Sequence, residues 1–299
     1  MSGIGTKSSS LFSALICLAL LLSVVALPAA ASSPGSTLVD TDWLADNLSS
    51  DDLVIVDVRL PEEFSVGHIE GAVNIPFTKF FGAFLMAPKM DEVRQMFGEA
   101  GISNTSRVVV YDDGSFMLAA RMFWLLEVYG HEQAALLNVG FDHWEEGKLP
   151  ISVDPITPTP ATFVPSVQPN RLATKLSTRL AIDNPDLTII DARSIDEYEG
   201  RVSTAFRFGH IPSAKAFPWS DNYAISDDRA KMKPVSALEE VYGDLDKSKP
   251  IIAHCNGGAQ AALNYVVLRT LGFDVAVYDG SWVEWGNDLS LPVINPSAQ

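Results

Sequence analysis

The sequence predicts an α/β protein of two successive domains, each built on a mostly parallel sheet with helices on both faces. Three observations carry this expectation. Short, fully apolar runs alternate with segments of helical period, the pattern of strands buried on both faces. One ordered set of motifs occurs twice, about 140 residues apart, which is a domain spacing and not the spacing of a solenoid repeat. The chain is 299 residues long, enough for about two domains.

The first element stands apart from the fold. Lys7 precedes an apolar run over 11–27 interrupted only by Ser13 and Ser23, and Pro28 and Ala29-Ala30-Ala31 follow. This is the layout of a secretory signal peptide over 1–31, cleaved after Ala31. The run is short for a membrane span, so cleavage is expected over anchorage, with no stable span afterwards and an extracytoplasmic, for instance periplasmic, location. Residues 36–150 form the first domain, with strands over 53–56, 108–111 and 134–137 and a helix over 118–129 closed by Gly130. Residues 151–170 carry Pro155, Pro158, Pro160, Pro165 and Pro169 and read as a stiff, extended linker. Residues 171–297 form the second domain, with strands over 188–190, 251–253 and 275–278 and a helix over 259–271 closed by Gly272.

Composition narrows the function. Apolar residues make up 47% of the chain, enough for packed cores, and the formal net charge is −16. Without a run of Lys or Arg, such a chain is no nucleic-acid binder, because phosphate binding needs concentrated positive charge. There are two cysteines, and Cys17 lies in the leader, so the mature chain keeps Cys255 alone. A lone cysteine in an exported protein is either an inert core residue or a reactive thiol.

The duplicated motifs bear on that choice. Asp57-Val58-Arg59, Glu62-Glu63-Phe64, Gly67-His68-Ile69 and Ala72 come in the same order as Asp191-Ala192-Arg193, Asp196-Glu197-Tyr198, Gly209-His210-Ile211 and Ala214, and Pro76-Phe77 corresponds to Phe217-Pro218 with the pair inverted. Tyr111-Asp112 then matches His254-Cys255, and Gly140 through Trp144 matches Gly280 through Trp285. This pattern resembles the tandem rhodanese family over essentially the whole mature chain. The resemblance implies two rhodanese-like domains, the second catalytic and the first without its cysteine, here replaced by Asp112. It implies a sulfurtransferase of the thiosulfate or 3-mercaptopyruvate type.

The residues around Cys255 suit that chemistry. Cys255 ends an apolar strand, the place where open α/β sheets bind ligands. Asn256, Gly257, Gly258, Ala259 and Gln260 follow, small enough for a tight loop whose N–H groups turn inward at the start of a helix. Such a cradle favours thiolate, persulfide and a bound oxyanion. The expected reaction is a double displacement through a Cys255 persulfide, with a small sulfur-containing anion as donor and cyanide or a thiol as acceptor. It requires neither cofactor nor metal, and a chain that already pairs two domains is expected to be a monomer.

The remaining candidates are weighed one by one. Related thiosulfate enzymes carry basic residues in this loop and mercaptopyruvate enzymes a Gly-Ser-Gly arrangement; Cys255-Asn256-Gly257-Gly258 has neither, and the family's helix-side arginine is Glu197 here. Arg201 and Arg207 are the candidates to replace it at the substrate, with a surface charge role as the alternative. Trp282 is expected to wall the pocket, Trp285 to pack beneath it, and Asp279 to fix the loop by accepting backbone hydrogen bonds. Asp57 with Arg59, Asp191 with Arg193, and His68 and His210 recur in both domains, so a structural role is expected near the site. His254 adjoins Cys255, but strand neighbours point to opposite faces, which argues against a general base. A related phosphatase chemistry needs an arginine six residues after the cysteine, where Ala261 stands. A sulfur-carrier or sensor module without turnover is the other rival.

Overall fold

The computed structural model describes residues 36–82 and 85–298, together with Met1 and Gly3. The expected signal peptide lies outside the described residues.

The first half runs β1 (Leu38–Val39), α1 (Thr41–Asn47), β2 (Leu53–Asp57), α2 (Pro61–Val66), β3 (His68–Ile69), β4 (Ala72–Asn74), α3 (Met90–Glu99), β5 (Arg107–Tyr111), α4 (Met117–Val128), β6 (Ala134–Leu137), α5 (Phe141–Glu146) and β7 (Ile151–Ser152). The second half runs β8 (Leu172–Ala173), α6 (Lys175–Ala181), β9 (Thr188–Asp191), α7 (Ile195–Tyr198), β10 (Lys215–Ala216), β11 (Tyr223–Ser226), β12 (Arg229–Met232), α8 (Val235–Val241), β13 (Ile251–His254), α9 (Ala259–Thr270), β14 (Val275–Tyr278) and α10 (Ser281–Trp285).

Each half builds a five-stranded sheet, in the orders β1-β6-β5-β2-β4 and β10-β9-β13-β14-β8. Neighbouring strands in both are parallel. Alternation along the strands explains why the runs are apolar throughout. Val108 and Val110 face one core cluster and Val109 and Tyr111 another. Ile251 and Ala253 likewise face one cluster, and Ile252 the other. Both faces of each sheet are covered, which bears out the α/β expectation.

The helices α4 and α9 hold the halves together. Each is buried nearly all round, from Ala119 to Leu126 and from Ala261 to Leu268, so neither has the polar face of a surface helix. Their residues join one core cluster that continues into both sheets. Glu127 of α4 accepts the phenol of Tyr265 and pairs with Arg269 of α9 at 3.2 Å. The Pro-rich stretch after β7 lies on the first half: Ala161 N–H donates to Gly98, Ser166 N–H to Tyr129 and Gln168 N–H to Val128, and Phe163 is buried against Phe97. Its stiffness therefore has a packed surface beneath it.

Candidate active site

Cys255 follows directly on β13, and α9 begins four residues later. Gly258 caps that helix with φ +86, a left-handed conformation open to glycine. A side chain there would also meet Arg121 Nη1 at 2.5 Å and Asp279 Oδ1 at 2.8 Å, so the position has no room for a Cβ. The tight curl aims the Gly258 N–H at Cys255 Sγ, 3.1 Å away. Burial pushes the thiol above its ordinary 9.0, while the N–H groups of Ala261, Gly257, Gly258 and Gln260 pull it down. The inward-facing cradle therefore exists and pulls toward thiolate as expected, but with the side chain 1% exposed desolvation outweighs it.

The loop is braced from α10, from α7 and from the stretch after α7. Ser281 accepts the Cys255 N–H at 3.1 Å and donates to Tyr278 O. Trp282 N–H donates to Cys255 O and Val283 N–H to Asn256 O. Asn256 donates to Glu197 at 2.7 Å and accepts from Thr204 at 2.5 Å. Glu197, which stands where the resemblance leads one to expect an arginine, thus holds the protein's own loop through its carboxylate.

Several candidates sit elsewhere than expected. Trp282 is no wall of the cleft: its ring lies under the Arg193 guanidinium at 4.3 Å and its indole N–H donates to Ser203. Trp285 is buried beside it and donates to Pro292 O. Arg201 pairs with Asp196 and Glu199, and Arg207 donates to the carbonyls of Trp285, Gly286, Asp288 and Leu291. Neither guanidinium reaches the cleft, because each is committed to local partners. Asp279 does accept a backbone N–H, but from Ala87 of the other half, while its second oxygen takes Arg121 at 2.5 Å.

The recurring pairs form the same clasp in both halves. Arg59 grips Asp57 and donates to Gly67 O, as Arg193 grips Asp191 and donates to Gly209 O. His68 bonds Phe64 O and stacks on Phe64; His210 bonds Tyr198 O and stacks on Tyr198. His254 turns toward Asp191, with Nε2 3.6 Å from its carboxylate, and burial lowers its imidazole to about 4.

The loop opens onto a cleft of about 560 Å³. Cys255, Asn256, Gly257, Ala259 and Gln260 form one side. The other side is Phe77, Thr78, Phe81, Leu85, Met117 and Leu118, all from the first half. Sequence reasoning missed these residues, since nothing local marks an apolar side chain as facing a site in another domain. For Arg121 there was a signal: it is the one charge inside the apolar turns of α4 before Glu127.

Residues 40–147 and 173–288 each match the family described as the rhodanese-like domain. A thiosulfate sulfurtransferase from Azotobacter vinelandii is 32% identical over 263 residues, covering 84% of this chain and 94% of that protein. A 3-mercaptopyruvate sulfurtransferase from Escherichia coli is 28% identical over 275 residues, covering 85% and 96%. The crystal structure of SseA, a 3-mercaptopyruvate sulfurtransferase from Escherichia coli, superposes with a TM-score of 0.73 at 26% identity, covering 83% of this chain and 99% of that one. With two matched domains, full-length relatives and the loop at the end of its central strand, the chain belongs to the rhodanese family and is a two-domain sulfurtransferase.

Proposed function

We propose that the protein moves sulfane sulfur from thiosulfate or a related donor to a thiophilic acceptor, cyanide in an assay and a thiol in the cell, through a persulfide on Cys255. The observation that carries this reading is the placement of Sγ, at a strand end, 3.1 Å from the Gly258 N–H and on the wall of an open cleft. The thiolate attacks the outer sulfur of the donor, the donor S–S bond breaks, and sulfite leaves with the electron pair. The persulfide anion then lies against the N–H groups at the start of α9, whose positive end favours it. The acceptor removes the outer sulfur and restores the thiolate, a ping-pong cycle without cofactor or metal. A 3-mercaptopyruvate donor fits less well, because Glu197 stands where a carboxylate clamp would be and Arg201 and Arg207 are held elsewhere.

A thiosulfate:cyanide assay on wild type and Cys255→Ser tests the proposal. Thiocyanate is expected from the wild type alone, with one extra sulfur atom on Cys255 by mass spectrometry after thiosulfate treatment. Undiminished turnover in the serine variant would overturn it, and a stable persulfide without turnover would favour the carrier role. We propose also that the chain acts outside the cytoplasm, from the apolar run over 11–27 and its Ala29-Ala30-Ala31 end, and as a monomer, because it already pairs two domains. An exported form beginning at Ser32 is expected on amino-terminal sequencing; an intact, cell-retained chain would contradict this. Among the described residues no helix is long and apolar enough to cross a membrane.

A further inference from the structure

A groove of about 630 Å³ lies between the halves and shares no lining residue with the Cys255 cleft. It sits at the carboxyl ends of β1 and β6, the side of a parallel sheet on which ligands bind. The β11–β12 hairpin of the second half forms its other side: Lys231 makes an antiparallel bridge with Val139, and the Met232 N–H donates to Asn138 O at 3.0 Å. Side chains alternate along a strand, so Arg229, Lys231 and Lys233 share one face, with successive Cα atoms about 7 Å apart, and all three line the groove. Arg229 alone of the three has a carboxylate partner among the described residues, Glu146 at 2.8 Å. The one acid of the lining, Asp40, caps α1 by accepting the Trp43 N–H. This is a concentration of positive charge on a chain whose net charge is −16. Two further lining residues, Asn138 and His143, each bury a polar atom, Oδ1 and Nδ1, that has no hydrogen-bond partner among the described residues. Such atoms are rare because each loses its bond to water, so two in one groove mark a place for a bound polar group.

We infer that this groove is a second ligand site, separate from sulfur transfer, that takes a small organic polyanion bearing a hydroxyl group, a hydroxypolycarboxylate or a phosphate ester. Its anionic groups meet Lys231, Lys233 and Arg229. Its hydroxyl donates to Asn138 Oδ1, and His143 Nδ1 accepts from the ligand or donates to it according to tautomer. The volume is within the range that encloses small molecules. Because the ligand touches both halves, it ties the hairpin to the first sheet and stabilises the folded chain by mass action.

Isothermal titration calorimetry on the full chain at low ionic strength tests this with two pairs of ligands that differ by one hydroxyl, malate against succinate and citrate against tricarballylate, and with glycerol 3-phosphate as the phosphate ester. Saturable binding is expected, with the hydroxylated member of each pair about three- to tenfold tighter, as for one hydrogen bond. Lys231→Glu combined with Lys233→Glu is expected to weaken binding by more than about tenfold, because two attractions become repulsions, and to leave thiocyanate formation from thiosulfate unchanged, which reports an intact fold. Asn138→Ala is expected to equalise the members of each pair. Saturation by the carboxylates alone, or by glycerol 3-phosphate alone, would assign the site to that kind of anion. No saturable heat from any probe, or undiminished affinity in the double-lysine variant, would overturn the inference. Equal affinities within both pairs in the wild type would overturn the hydroxyl contact.

Discussion

At the scale of single residues, the thiol of Cys255 is held between two opposed effects. Burial raises it above 9.0, and the N–H groups around it lower it without cancelling that penalty. The thiolate is the nucleophile, so its fraction at neutral pH is small and grows with pH. The rate of persulfide formation, read as kcat/KM for the donor, is therefore expected to keep rising from about pH 7 to about pH 9, with no plateau between. A plateau beginning below about pH 7 would show that the N–H groups outweigh desolvation. His254 adds no limb to this profile, since its imidazole is lowered to about 4 and is neutral throughout that range.

At the scale of elements, the loops after β5 and β13 show one architecture used in two ways. After β13 the N–H groups surround a sulfur that is available to the cleft. After β5 the Asp112 carboxylate fills the equivalent space itself, accepting from the N–H groups of Gly114, Phe116 and Ala119 and from the Ser115 hydroxyl. The first half thus carries its own anion where the second half would bind one. Burial, together with Asp113, pushes the Asp112 carboxyl up to about 6. Because this folded value lies above the ordinary 3.8, its contribution to stability is complete below about pH 4 and is lost as pH rises through about 6. The slope reaches at most about 1.4 kcal/mol per pH unit. Calorimetric unfolding of wild type and Asp112→Asn should show the wild type losing stability relative to the variant between about pH 4 and pH 6; parallel curves would contradict the assignment.

At the scale of the whole molecule, the half without a cysteine helps build the site. It supplies one side of the cleft, and Arg121 of α4 reaches across to Asp279 while also donating to Leu85 O. The pair is fully buried, and the guanidinium lies 4.4 Å from the Trp124 ring and 5.2 Å from that of Phe81. Removing one partner leaves a buried charge unpaired, so Arg121→Ala and Asp279→Ala are each expected to cost about 3–5 kcal/mol in denaturant unfolding. The double variant should lose less than the sum of the two, since no orphaned charge remains; strict additivity would show that the residues act independently.

The sequence by itself determined the central strands, the helices α4 and α9 and the loop that matters. The apolar runs place the central strands within a residue of their observed ends, because a strand buried on both faces must be apolar at every position. The order of motifs in the two halves set Cys255 against Asp112, and the glycines after Cys255 mark a turn that the strand-to-helix junction requires. Tertiary structure alone decided what faces that loop. Arg201, Arg207 and Trp282 are near Cys255 in sequence order of elements yet satisfy partners within their own half. Phe77, Phe81, Leu85, Met117 and Leu118 are more than a hundred residues away and form the opposing wall. The physical reason is that a strand or a turn is specified by local dihedral preference and burial pattern, whereas a wall between domains is specified by how two helices without a polar face, α4 and α9, pack against each other.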